Sequence, residues 1–361
     1  MRTTWVSLIG LVALASVTSA QSNFFIQDIQ TNADGSVTIS WPARRAWTYH
    51  VMFADSLDGS WQEFPDGQLT AGTNDLTLCY TNTNAPAVSQ RFYKVKIRVS
   101  QLIMSLVLDR SGSMGGNGGA AALSAAVAQF IDLFDDNRDK VAMISFSYAA
   151  STDVPMSQPF KAAINNAVSN LVFSGWTASE QGLAKGLQQN ESVVIPPEEN
   201  VVKVIVFFTD GLANTFQYTF NCGVRNIGPD RELYDPNTGA LAGGGCTIPA
   251  TIPSVSPPPT DVSTTSGCAP LTIEAQKRAL VVAEQARQQG NFIYVIGLGD
   301  PNGPGECGFP PINLPFLLQI ANDPSGPNYN PNEPAGLAVF ASTAVDLQVV
   351  FDYIASKILV Y

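Results

Sequence analysis

Leu102-Ile103-Met104-Ser105-Leu106-Val107-Leu108-Asp109-Arg110-Ser111-Gly112-Ser113-Met114 is the stretch from which the fold can be read. Its first seven residues are apolar except Ser105. Such a run suits a strand buried on both faces, as in a parallel sheet. It stops on an acidic residue and a loop of small hydroxyl residues. Downstream, helical and strand-like segments alternate. The spacing predicts helices over Ala120–Phe134, Lys161–Leu171 and Glu180–Gln189, and strands over Val141–Phe146, Val201–Phe208 and Phe292–Leu298. A long helix is expected over Leu271–Gln289, with Glu274 and Arg278 at i,i+4 and Gly290 as its stop signal. A last helix is expected over Asp346–Leu359, with Leu347, Val350, Phe351, Ile354 and Ile358 on one face. This alternation predicts a doubly wound, mostly parallel α/β domain over residues 101–361.

Upstream, the period changes to two. Val37, Ile39 and Trp41 alternate with Thr38 and Ser40. Tyr49, Val51 and Phe53 alternate with His50 and Met52. Leu76, Leu78 and Tyr80 alternate with Thr77 and Cys79, and Tyr93, Val95, Ile97 and Val99 with Lys94, Lys96 and Arg98. Asp34-Gly35 and Asp58-Gly59 are turn signals between such runs. Residues 21–99 are therefore expected to form an all-β sandwich. Ser40-Trp41-Pro42-Ala43, Tyr49, Trp61 and Arg91-Phe92-Tyr93-Lys94-Val95 resemble fibronectin type III-like modules of secreted bacterial proteins. Residues 1–20 read as a secretory signal peptide: Arg2, an apolar run from Trp5 to Val17, then Thr18-Ser19-Ala20 at a cleavage site. An uncleaved anchor is the alternative; otherwise no transmembrane segment is expected. No flexible linker separates the two domains, which are expected to abut.

Composition narrows the chemistry. The 361 residues carry a net charge of −11, with one histidine and five cysteines. Residues 21–100 hold six Lys/Arg and seven Asp/Glu, and residues 101–361 hold twelve and twenty-three, so the α/β part carries nearly all the acidity. Nucleic-acid binding is not expected, because phosphates need clustered Lys and Arg. A lone histidine, His50, removes multi-His zinc centres and weakens every Ser/His/Asp proposal.

In an α/β sheet, ligands bind beyond the carboxyl ends of the strands. Asp109 ends the first strand, and Thr209-Asp210-Gly211 follows the strand over Val201–Phe208. Between them lies Ser174-Gly175-Trp176-Thr177-Ala178-Ser179-Glu180. Asp109, Ser111, Ser113, Thr177 and Asp210 together offer two carboxylates and three hydroxyls. That oxygen set, without sulfur or imidazole, suits Mg²⁺, with Mn²⁺ or Ca²⁺ as variants. Thr177 with Glu180 also fits a helix capping box.

Asp109, Ser111 and Ser113 match the D-x-S-x-S loop of von Willebrand factor type A domains with a metal-ion-dependent adhesion site. Thr177 matches that family's second-loop threonine and Asp210 its third-loop aspartate, and the resemblance covers residues 101–361 apart from one insertion. It implies binding rather than turnover: the cation keeps a coordination position open for a carboxylate from a protein partner's Asp or Glu. Met114 and Trp176 are the ligand-face candidates. Trp176 departs from the family, which more often has Gly there. The expected setting is secreted, extracellular or in the cell envelope, as an adhesion module. The alternative is a structural envelope or pilus-assembly component whose metal site is mainly stabilising. Leu317-Leu318-Gln319-Ile320-Ala321-Asn322-Asp323-Pro324 resembles type A domains near bacterial tight-adherence pilus systems. A metal-assisted hydrolase is disfavoured, because no base or leaving-group acid accompanies the two aspartates. Gly116-Asn117-Gly118-Gly119-Ala120-Ala121 matches a nucleotide-binding pattern, but seven residues separate it from Leu108.

Residues 214–270 lack periodicity and contain Gly243-Gly244-Gly245 and Pro257-Pro258-Pro259. Leaving a strand's carboxyl end, this insertion must emerge on the metal face. Cys222, Cys246 and Cys268, with Cys307 in a second loop, suggest two disulfides in one of three pairings. The expectation is a stapled cap beside the cation, set against a disordered loop. Cys79 is left unpaired.

Overall fold

The computed structural model describes residues 26–43, 48–56, 59–71, 77–83, 90–98, 101–115, 118–195, 201–255, 260–300, 307–310 and 312–359. The signal-peptide reading, Asp58, Leu76, Val99, Gly116-Asn117 and Pro257-Pro258-Pro259 lie outside them. The chain divides into two compact units, with the boundary between Ser100 and Gln101.

The first unit is all-β. Strands β1 (Asp28–Thr31), β2 (Val37–Pro42), β3 (Thr48–Ala54), β4 (Gln62–Thr70), β5 (Thr77–Asn82) and β6 (Phe92–Arg98) form two antiparallel sheets, ordered β1-β2-β5 and β4-β3-β6. Both sheets feed one core. Ile39, Trp41 and Tyr80 come from one, and Tyr49, Val51 and Phe64 from the other. The period-two pattern explains this, since alternate side chains share a face. Cys79 points outward and is a free thiol. His50 Nδ1 lies 2.5 Å from Glu63 Oε1 on the neighbouring strand.

The second unit is built on a six-stranded sheet. Strands β7 (Gln101–Asp109), β8 (Lys140–Phe146), β9 (Ala150–Ser157) and β10 (Val201–Thr209) belong to it, with helices α1 (Gly119–Asp132), α2 (Lys161–Ser169) and α3 (Ser179–Glu191) between them. The chain then makes short strands β11 (Phe216–Phe220), β12 (Gly223–Ile227), β13 (Leu233–Tyr234), β14 (Thr251–Pro253) and β15 (Asp261–Ser263). It returns through α4 (Ala269–Gln288), β16 (Asn291–Leu298), α5 (Leu314–Ala321), β17 (Leu337–Ala341) and α6 (Leu347–Ile358). The sheet order is β17-β16-β10-β7-β8-β9; all pairs are parallel except β8 with β9. Val107, Ile205, Phe207, Ile293 and Val295 share a core with side chains of α3, α4 and α5. Phe208 meets Phe351 of α6, which also meets Phe130 of α1. Helix α3 approaches the sheet closely: a Cβ on Gly182 would stand 2.7 Å from the Phe146 ring, and one on Gly186 2.7 Å from Val107 Cγ2. Among the described residues no helix is long and apolar enough to cross a membrane.

The insertion is ordered structure, which corrects the expectation of a stretch without periodicity. Strands β11, β12 and β13 form an antiparallel sheet, and β14 pairs with β15. Their two to five residues are too short for period two to stand out in the sequence. Phe216, Phe220, Ile227, Leu233, Ile252 and Val262 are buried in the same core as α3 and α4. The Glu274–Arg278 pair is an anchor rather than a solvated helix pair. Glu274 accepts from Ser254 Oγ at 2.6 Å and Val255 N at 2.8 Å. Arg278 donates to Gln217 O at 3.0 Å and lies over the Phe216 ring.

Of the three pairings open to the sequence, the structure has Cys222–Cys246 and Cys268–Cys307. The first closes a separation of 24 residues within the insertion, and the second ties the start of α4 to the loop after β16. Replacing Cys222 and Cys246 with serine is expected to lower the unfolding free energy by about 3 kcal/mol, from the closure entropy of a loop this long. Urea denaturation under non-reducing conditions measures it, and an unchanged midpoint would show that closure contributes nothing.

Candidate metal centre

Strands β7 and β10 are parallel neighbours with Leu108 opposite Phe208. Their register brings Asp109, Thr209 and Asp210 to one edge of the sheet. Asp109 is fully buried. Its Oδ1 accepts from Ser111 N at 2.8 Å, and its Oδ2 accepts from Thr209 Oγ1 at 2.6 Å. The two serines of the loop are 3.1 Å apart, hydroxyl to hydroxyl. Ser113 Oγ donates to Asp210 Oδ1 at 2.8 Å. Hydrogen bonds thus join four of the five candidate residues. The fifth, Thr177, is also buried. A Cβ on Gly211 would lie 3.7 Å from both Ser113 Oγ and Thr177 Oγ1, so these two hydroxyls flank the same glycine.

Backbone contacts hold the loops in place. Gly112 N donates to Gly175 O at 2.9 Å, and Ser174 N to Arg110 O at 2.9 Å. Gly175 has φ of +89°, and a Cβ there would stand 2.4 Å from the Tyr148 ring; only glycine fits. The capping box read at Thr177 and Glu180 does not form. Helix α3 is preceded by Ala178 without a side-chain cap. Glu180 instead accepts from Gln217 N of the insertion at 3.1 Å. Thr177 is fixed from the insertion too: its N–H donates to Asn214 Oδ1 at 2.8 Å, and its carbonyl accepts from Asn214 N at 3.1 Å.

The electrostatics are those of two carboxylates in a confined space. Burial pushes the Asp109 carboxyl above its ordinary range. Asp210 is pushed up to about 7, first by burial and then by the negative charge of Asp109. The neighbouring Arg110 turns its guanidinium to Ser145 Oγ, 3.0 Å away. Among the described residues no Lys or Arg forms an ion pair with either aspartate. Nor do three His, Cys, Asp or Glu side chains among them form a group that could hold a metal ion. A hard cation that accepts carboxylate and hydroxyl oxygens fits this donor set; a thiolate- or imidazole-seeking metal does not.

The von Willebrand factor type A domain model matches residues 104–223, a span that holds all five candidate ligands. The chain contains a von Willebrand factor type A domain. The Synechocystis sp. protein named "Uncharacterized protein sll0103" is 32% identical over 149 residues, covering 38% of this chain and 34% of that protein. The chain thus spans about a third of the length of the curated relative it matches. Among solved structures, the pilus adhesin SpaC from Lactobacillus rhamnosus GG is similar over 95% of this chain and 37% of its own, at 16% identity and a TM-score of 0.50. The minor pilin PilB from Streptococcus sanguinis is similar over 95% of this chain and 80% of its own, at 17% identity and a TM-score of 0.47. At 16% identity the SpaC likeness concerns the fold alone.

The two ligand-face candidates of the type A domain have different surroundings. Met114, in the short helical turn Gly112–Gly115, is buried at 1% exposure and so presents almost no surface to a ligand. Trp176 is held by the insertion: its indole N–H donates to Asp230 Oδ2 at 2.7 Å and to Tyr234 OH at 3.3 Å. Sequence reasoning passed over Thr209 and Asn214. Thr209 stands in the Thr-Asp-Gly triplet already singled out, so its hydroxyl was visible. Asn214 carried no signal, because its role depends on the fold bringing Thr177 beside it.

Proposed function

We propose that the type A domain holds one divalent cation, Mg²⁺ before Mn²⁺ or Ca²⁺, at Asp109, Ser111, Ser113, Thr177 and Asp210. Through it the domain captures an Asp or Glu carboxylate of a protein partner. The observation that carries this reading is the meeting of two confined aspartates and three hydroxyls, with no basic side chain among the described residues in an ion pair with either aspartate. A bound cation of this class supplies attraction for one more oxygen anion. The chain's own residues do the rest. Thr209 and the Ser111 amide fix the Asp109 carboxylate, Ser113 steadies Asp210, and Asn214 sets the Thr177 loop. Two disulfides belong to an oxidising compartment. With them, the reading is of a secreted or cell-surface adhesion module that follows a fibronectin type III-like sandwich in the sequence. The name of SpaC, an adhesin of the same fold, is in keeping with it.

Calorimetric titration with Mg²⁺ tests the proposal. The wild-type chain is expected to bind one equivalent, and Asp109→Ala to bind at least about 100-fold more weakly. No binding by the wild type, or equal binding by both, would overturn it.

A further inference from the structure

The insertion grips the loop that carries Thr177 through a closed circuit of contacts. Trp176 precedes Thr177, and its indole N–H donates to Asp230 Oδ2 at 2.7 Å. Tyr234 donates its hydroxyl to the same carboxylate oxygen. Burial, and then this bond, push the Tyr234 hydroxyl above its ordinary range, so it stays a donor. The Tyr234 ring stacks on Tyr148 with centroids 4.3 Å apart. Tyr148 in turn fills the space that a side chain on Gly175 would need, 2.4 Å from its ring. Gly175 is the chain neighbour of Trp176, and there the circuit closes. The second Asp230 oxygen accepts from Glu232 N at 3.1 Å, so its own turn fixes the carboxylate. A Cβ on Gly228 would stand 2.9 Å from the indole, so the insertion backbone closes against the ring.

We infer that Asp230 is a positioning residue for the cation site: through Trp176 it fixes the backbone from which Thr177 offers its hydroxyl. This inference rests on the cation reading above. Hydrogen bonds join the other four candidate ligands to one another, whereas Thr177 takes its place from its loop. Asn214 holds the Thr177 peptide itself, and Asp230 holds the residue before it. Mg²⁺ demands near-ideal octahedral geometry, so a donor free to swing from its place binds it poorly. Partners that orient a metal ligand are worth about 10–100-fold in metal affinity.

Calorimetric titration of Mg²⁺ into the full chain tests the inference, with urea denaturation of each variant alongside. Asp230→Ala is expected to bind Mg²⁺ about tenfold more weakly than wild type. Asp230→Asn keeps an oxygen acceptor for the indole and drops the charge. Asp230 is exposed, so solvent screens that charge, and Asp230→Asn should stay within about threefold of wild type. Trp176→Phe keeps an aromatic ring without the donor and should also lose about tenfold. Both changes break one contact, so the double variant should bind no more weakly than either single one. Equal losses in Asp230→Ala and Asp230→Asn would reveal a charge effect and overturn the inference, as would losses that add in the double variant. Should Asp230→Ala fail to fold, Trp176→Phe decides, and unchanged affinity there overturns the inference. Mg²⁺ binding by wild type that these variants match sinks the inference while the cation reading stands. Absence of Mg²⁺ binding by wild type overturns both.

Discussion

Held free of divalent cations, the protein is expected to lose stability as pH rises from about 4 to about 7. The cause is Asp210, whose carboxyl is lifted from its ordinary 3.8 to about 7 by burial and by Asp109. Across this window the folded chain keeps a proton that the unfolded chain releases. The folded state therefore binds more protons, and its stability falls with increasing pH. The contribution is fully present below about pH 4 and is gone once pH passes about 7. Three pKa units correspond to about 4 kcal/mol, and the partial solvent access of Asp210 brings the expected loss to about 2–4 kcal/mol. Other carboxylates titrate in the same window, so the measurement is the difference between wild type and Asp210→Asn in urea denaturation at pH 4, 5.5 and 7. Asp210→Asn should gain relative to wild type as pH rises. Saturating Mg²⁺ should remove the wild-type decline, because a cation stabilises the ionised pair. A difference that stays constant with pH would refute the account.

Gly336→Ala is expected to cost about 3 kcal/mol or more. Gly336 precedes β17, and its N–H donates to Ala321 O at 3.0 Å. A Cβ there would stand 1.9 Å from Ile293 O and 2.5 Å from Ala321 O. Both obstacles are backbone, one in β16 and one at the end of α5, so no side chain can turn away. Relief requires β17 to move from β16, where Leu337 pairs with Tyr294. That strand leads to Ser342, Thr343 and Ala344, which line the cavity beside Asp210 and Ser113. Gly243→Ala, with nothing within 4 Å of the new Cβ, is the matched control and should stay within about 0.5 kcal/mol of wild type. Equal stability of the two variants would contradict the packing argument.

The sequence made the middle of the sheet legible and its margins obscure. Strands β7, β8, β10 and β16 are apolar enough to be buried on both faces, and their ends fell within a residue or two of the reading. Strand β9 was missed: it is a bulged antiparallel edge interrupted by Asp153 and Pro155. Pro65 and Gly67 hid β4 in the same way. Helix α5 and strand β17 are eight and five residues long, too short for a period to register. Asp109 and Asp210 could be singled out because a strand's carboxyl end is visible in one dimension. Trp176 could not be placed, because its partner Asp230 lies 54 residues further along and reaches it only through the folded insertion.

The hydrogen bond from Thr209 to Asp109 spans 100 residues of chain. Strands β7 and β10 are adjacent in the sheet, yet two strands and three helices are made between them. Contacts of such high contact order form late, because the loop-closure entropy must be met before the pairing returns anything. The widest strand pairing in the sandwich joins Thr48 to Arg98, and nothing in it waits for residue 201. A chain that emerges from its N-terminus can therefore complete the first unit while the second is still an open set of helices and unpaired strands. Until β10 docks, Asp109 has no Thr209 hydroxyl, no Asp210 and no walled edge beside it. Asp109, Thr209 and Asp210 therefore come together only once the centre of the sheet has closed.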